Sequence, residues 1–283
     1  MKAIAEIREG DASPEIAALY SDIRTTTRLP LVNLVYRHLA ATPGSLDLVW
    51  SMARPLVASG AADAVLDRIS ARLPLPDLDL EAGNGVEDAA AAAVIEVYNR
   101  GNLINLTVLT TVRRVLAGDL AAGGETAAPA SAAPPPPMLA PLPALPRMEA
   151  LPADVAQRVR TLASLHAGAA DAGIVPSLYL HLAWWPHLLD RIREPLRSFV
   201  STGGLAAARD DLQRMVAAET ARLARLVPHG TTASVMGGDI GPVRSALATF
   251  TTHLIPELAP VGLLLRRGLP APAHHTVCGD DGR

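Results

Sequence analysis

One predicted helix carries three hydrogen-bonding side chains on an otherwise apolar face. From Ala89 to Leu116 apolar residues recur at helical spacing. At about 100° per residue Val94, Tyr98, Asn102, Asn105 and Leu109 share a narrow stripe. Buried amides cost free energy unless they are hydrogen-bonded. The Tyr98, Asn102, Asn105 row therefore reads either as a ligand-binding row or as a set of ties to neighbouring helix ends. Three such residues on one stripe exceed ordinary capping needs and favour the ligand.

A second group could move protons. Tyr36 and His38 form a Tyr-x-His pair, and Tyr179 and His181 form another. Histidine titrates near neutrality and is the commonest general base. Each of these histidines, however, precedes Leu-Ala and then a helix break. A histidine kept at equivalent places fits a bond to a backbone carbonyl better than asymmetric catalysis. Arg24, Arg28 and Arg37 lie close in sequence and could grip a carboxylate, although solvated charges and helix-end contacts suit them slightly better. Trp184-Trp185 reads as a hydrophobic corner. His274, His275, Cys278 and Asp280 are metal-ligating types in a polar tail without fixed geometry, so no metal site is expected there. The chain has no phosphate-binding glycine loop, nucleophile elbow or His-Glu-x-x-His motif, and no cofactor is expected.

The elements that must position these residues are all helices. Ser13 caps the first, with Pro14 at its first position and Ile16, Leu19, Tyr20 and Ile23 following. Further helices are predicted over 31–41, 46–58, 61–71, 89–116, 155–165, 175–184, 186–200, 205–226 and 243–265. No run of β-branched alternation appears. Residues 117–152 contain Gly123-Gly124 and prolines from Pro129 to Pro152, too dense for a helix. Met138, Leu139, Leu142 and Leu145 make the second part of this linker apolar enough to lie on the protein surface. The organisation expected is a first helical half over 1–116, a linker over 117–152, a second half over 153–269 and a polar tail over 270–283.

The halves are related. Val32, Tyr36, His38, Leu39, Ala40, Pro43, Leu46 and Asp47 recur, without a gap, as Val175, Tyr179, His181, Leu182, Ala183, Pro186, Leu189 and Asp190. Tyr98 to Arg114 more faintly parallels Phe250 to Arg266. Two copies of one helical unit predict pseudo-twofold packing, equivalent breaks at Pro43 and Pro186, and a cleft at the junction.

Composition limits the partners. Of 283 residues, 49% are hydrophobic but only 3% aromatic, so the core must be Ala, Leu and Val. A formal net charge of −3, from 25 basic and 28 acidic residues, gives no reason to expect nucleic acid or an anionic membrane surface. Apolar runs such as Leu103 to Val112 are shorter than the ~20 residues that span a bilayer. A lone cysteine and an N-terminus without an apolar leader stretch fit the cytoplasm.

The chain resembles the group I 2-haloacid dehalogenases, an all-helical family that hydrolyses both enantiomers of short 2-halocarboxylic acids. The likeness rests on Tyr20-Ser21-Asp22-Ile23-Arg24, Arg28-Leu29-Pro30, Leu39-Ala40 with Pro43-Gly44, Asn99-Arg100-Gly101-Asn102, and Ala183-Trp184-Trp185-Pro186. It runs from about Pro14 to Leu265, with the linker diverged. It implies two helical bundles about a pseudo-twofold and a buried site between them. In that family an aspartate two residues after the position of Pro176 activates the attacking water. Here that position is Leu178. A site tyrosine falls at Phe250, and two pocket aromatics fall at Leu31 and Leu34. The site asparagine is kept as Asn102 and the serine before the aspartate as Ser177.

The resemblance thus implies a divergent member in which Leu178 cannot accept a proton. One reading is a protein that holds a short organic acid or similar small molecule between its halves, lined by Leu31, Leu34, Tyr98, Asn102, Asn105, Ser177, Leu178 and Phe250. A second is a hydrolase in which His181, three residues beyond Leu178, supplies the base. A third is a purely structural or interaction protein.

Overall fold

The first helix starts where its signals put it. In the computed structural model, which describes residues 4–78, 80, 83, 85–124, 136–166, 175–229 and 240–269, α1 runs Pro14–Thr27 and Ser13 Oγ accepts from Ile16 N at 3.4 Å. Then come α2 (Leu34–Ala40), α3 (Ser45–Ala58), α4 (Ala61–Arg72) and the 33-residue α5 (Gly85–Ala117). The second half continues with α6 (Ala153–Ala163), α7 (Ser177–Leu182), α8 (Pro186–Ser201) and α9 (Gly204–Ala224). It ends in one long rod formed by α10 (Gly241–Ala248), a π-helical turn (Thr249–Leu254) and α11 (Ile255–Arg267). Among the described residues there is no strand, and the fold is all-α.

The element order repeats. Among the described residues a short 3-10 turn, Glu9–Asp11 or Met148–Ala150, leads into four helices and then a long rod in each half. The short helices α2 and α7 carry the two Tyr-x-His pairs, and Gly44 and Pro186 open the helices that follow. Tyr36 and Tyr179 are both fully buried; Tyr36 meets Trp50 edge-on at 5.7 Å, and Tyr179 shares a 2.7 Å bond with His166.

The halves are not separate bodies. The N-terminal part of α5, Ala91 to Tyr98, packs in a core with α6, α7, α8 and α11. Its C-terminal part, Leu103 to Leu116, packs in the other core with α1 to α4, α10 and much of α9. Each core therefore draws on both halves. Contact between α5 and α11 is close: Asn99 Nδ2 donates to Gly262 O at 3.1 Å, and a Cβ at Gly262 would overlap Asn99 Oδ1.

The π turn was not predicted from the sequence, where the helix reads as continuous over 243–265. Pro256 is the cause that can be named. It has no N–H to return to the carbonyl of Thr252, and Gln213 Nε2 donates to that oxygen instead, at 3.3 Å. The Gly241–Arg267 rod is also, by length and composition, apolar enough to cross a bilayer, but 67% of its most apolar window is buried against protein. That burial is what the core helix of a soluble protein shows. The expectation that no apolar run approaches spanning length thus fails on composition, because three segments join into one rod.

The linker's second part lies on the protein, as its leucines suggest. Leu139 N donates to Arg28 O at 3.2 Å, and Leu142, Met148 and Leu151 pack against the second core. The candidate metal-ligating group in the tail lies outside the described residues.

Two outcomes follow from this packing. Gly262→Ala must push Asn99 aside and break its bond, so urea denaturation should show a loss of about 1–3 kcal/mol. His166 is fully buried, and burial pushes its pKa down to about 4. Its folded-state pKa lies below the unfolded value, so its contribution is complete above about pH 6.5 and is lost as pH falls toward 4. Protonation there should cost about 3 kcal/mol of stability between those limits. His166→Gln should flatten the pH dependence of the unfolding midpoint in that window.

Candidate functional site

The Asn99-Arg100-Gly101-Asn102 segment shows how the fold aims one side chain inward. Asn99 holds α11. Arg100 Nε donates to Thr27 O at 3.0 Å, and its Nη2 lies 2.7 Å from the carboxylate of Asp63, tying α5 to α1 and α4. Gly101 lets the α1–α2 loop approach, since a Cβ there would press on Asn33 and Leu29. Asn102, the one left over, faces a cavity of about 340 Å³.

That cavity lies between the halves. Its walls come from the α1–α2 loop and α2, from α5, from the linker at 141–145, from the start of α7, and from the π turn with α11. The structure brings all eight residues of the sequence-derived set to it: Leu31, Leu34, Tyr98, Asn102, Asn105, Ser177, Leu178 and Phe250, with His181 beside them. Sequence reasoning did not include the linker prolines and Leu142, the lower wall of Leu254, Ile255 and Leu258, or Glu9 and Arg37 as lining groups. Arg37 had been noticed, but its neighbours in sequence go elsewhere: Arg24 pairs with Glu9, and Arg28 ends α1 in a left-handed turn (φ 61°).

The histidines resolve into two roles. His181 Nε2 faces the carbonyl of Pro143 at 3.0 Å, and its Nδ1 lies 2.6 Å from the hydroxyl of Tyr98. A carbonyl only accepts, so Nε2 carries the proton and Nδ1 takes the Tyr98 O–H. Burial lowers the pKa of His181 and keeps the ring neutral, against the opposing effect of the Pro143 bond. His38 likewise holds a carbonyl, Ala5 O at 2.7 Å, in the segment leading into the first half. The carbonyl-binding role expected for both histidines is therefore what the geometry shows, with the carbonyls on the lead-in segments and not at the breaks. As a base, His181 has its only lone pair already occupied by Tyr98.

The partners cross between halves. Tyr98 of α5 meets His181 of α7 in a tilted ring contact at 5.6 Å, and Phe250 of the π turn meets His38 of α2 likewise at 5.7 Å. Only the first pair carries a hydroxyl. Burial raises the pKa of Tyr98 well above that of a free phenol, so it stays protonated. Asn105 is 1% exposed and its Oδ1 has no partner. Glu9, the lining carboxylate, is held by Arg24 and by Val32 N at 2.9 Å.

No protein-family model matches the chain. A configuration-inverting 2-haloacid dehalogenase from Alcaligenes xylosoxydans xylosoxydans is 26% identical over 201 residues, 67% of this chain and 67% of that protein. Over that span the chain is similar in sequence to a 2-haloacid dehalogenase. Solved structures agree in fold. A D-2-haloacid dehalogenase mutant superposes with a TM-score of 0.72 at 16% identity, covering 93% of this chain and 94% of that one. The complex of a D-2-haloacid dehalogenase with L-LA gives 0.71 at 17%, covering 94% of each. In this site the Tyr98–His181 bond should be the strongest coupling. A double-mutant cycle of Tyr98→Phe and His181→Gln should return a coupling of about 1 kcal/mol or more in urea unfolding.

Proposed function

We propose that this dehalogenase-like protein binds a small organic acid in the cavity between its halves and does not dehalogenate by the family's route. The observation that carries this is Leu178. It is 4% exposed, lines the cavity, and offers methyl groups where a proton acceptor is required. No other lining group replaces it: Glu9 is neutralised by Arg24, and His181 is already bonded at both nitrogens. Losing a general base forfeits on the order of 10²- to 10⁴-fold in rate.

Binding has support of its own. The cavity is largely apolar with a few convergent polar groups, Tyr98, Asn102, Asn105, Ser177 and Arg37 among them, as small-molecule sites are. Structural neighbours hold small acids, 2-chloropropionate and lactate. We place the protein in the cytoplasm and relate its halves by an internal twofold. The Tyr98–His181 bond favours one other reading, a hydrolase in which Tyr98 takes a proton as it passes its own to His181. A structural or interaction role has no use for the cavity.

Halide release decides between these. Incubation with either enantiomer of 2-chloropropionate should give chloride at the rate of a protein-free control, while a thermal-shift screen of carboxylic acids should raise the melting temperature for at least one. Chloride release well above control and abolished in Asn102→Ala would overturn the proposal. If His181→Gln also abolished it in a folded protein, the hydrolase reading would replace it.

A further inference from the structure

We infer that the cavity is shaped for a carboxylic acid with an aromatic or branched apolar body of about ten to twelve non-hydrogen atoms, its carboxylate turned to Arg37. This rests on the small-acid reading above and adds the ligand's size and its anchor.

Volume sets the size. A protein cavity of about 150 Å³ is filled by benzene. The present one, at about 340 Å³, is more than twice as large. A three-carbon acid has no more non-hydrogen atoms than benzene and would leave over half of the space to water. The walls do not suit that water. Leu31, Leu34, Leu142, Leu178, Phe250 and Leu258 line it with hydrocarbon, and water in such surroundings finds too few hydrogen-bond partners. An apolar body that displaces it gains free energy.

Charge sets the orientation. Arg37 is the only Lys or Arg among the lining residues. Its Nε donates to Glu6 at 2.7 Å and its Nη1 to Val32 O at 3.0 Å. Nη2 has no partner among the described residues. Two bonds hold the guanidinium plane in place, and its side chain is 18% exposed, so it is ordered before a ligand arrives. The lining carboxylate, Glu9, does not oppose an anion because Arg24 is bound to it. The other ionisable lining groups, Tyr98 and His181, are neutral, and each is bonded to the other.

The test is isothermal titration of the full chain with 3-phenylpropionate, 3-phenylpropanamide, L-lactate and both enantiomers of 2-chloropropionate. The aryl acid should bind at least about ten-fold more tightly than either short acid, and more tightly than its own amide. Arg37→Met should erase the preference for acid over amide while leaving amide affinity near wild type, and Arg37→Lys should restore part of it. Leu34→Trp, which fills the space without touching the charge, should weaken the aryl acid and spare lactate. Short acids binding as tightly as the aryl acid would overturn the size and leave the small-acid reading standing. Equal binding of acid and amide, or an undiminished preference in Arg37→Met, would overturn the anchor. Failure of every acid to bind would overturn the small-acid reading and this inference together.

Discussion

The close approach of α5 and α11 is the constraint on which the rest depends. Asn99 reaches the backbone of Gly262 because no Cβ stands between them. That contact is part of the broad seam between the long helix of the first half and the last helix of the second. Each helix contributes to two cores, α5 by its length and α11 by its two faces. A cavity then opens beside the crossing, where α5 turns from one core to the other. Tyr98, Asn102 and Asn105 lie on that part of α5, and Asn99 and Arg100 on its other faces are consumed in holding it. The polar row is available to a ligand because its neighbours do the structural tying.

Much of this was legible in the sequence because helices write their own punctuation. Ser13-Pro14, Pro43-Gly44 and Pro186 mark starts and breaks through local chemistry, and the ends fall within a few residues of those signals. The Tyr98, Asn102, Asn105 stripe was readable because a helix's period fixes which residues share a face. What could not be read was tertiary. The π turn needs Gln213, from another helix, to take the carbonyl that Pro256 leaves free. The linker's part in the cavity wall depends on where Pro143 and Ala144 meet His181 and Trp184, at 3.0 and 3.1 Å. Arg37 could be singled out as a cation, but only its partners show that one nitrogen has none among the described residues.

One side of the cavity is polar and the other is not, although the segments around Tyr36 and Tyr179 that flank it are alike in sequence. Each long helix sends an aromatic ring across to the other half's histidine, and each histidine is held by the carbonyl of a lead-in segment. Two identical crossings would give a symmetric cavity, and a symmetric cavity has no reason to bind an asymmetric ligand one way round. The symmetry is broken by a few side chains. Phe250 lacks the hydroxyl that Tyr98 has, Leu34 stands opposite Ser177 in the repeat, and Arg37 stands opposite Leu180. Hydroxyls collect on the α7 side and the lining cation, Arg37, on the α2 side. The long helices and the histidine segments they meet frame the cavity. The departures from duplication supply a direction, and a molecule with one charged end and one apolar end is what a directed apolar cavity can hold.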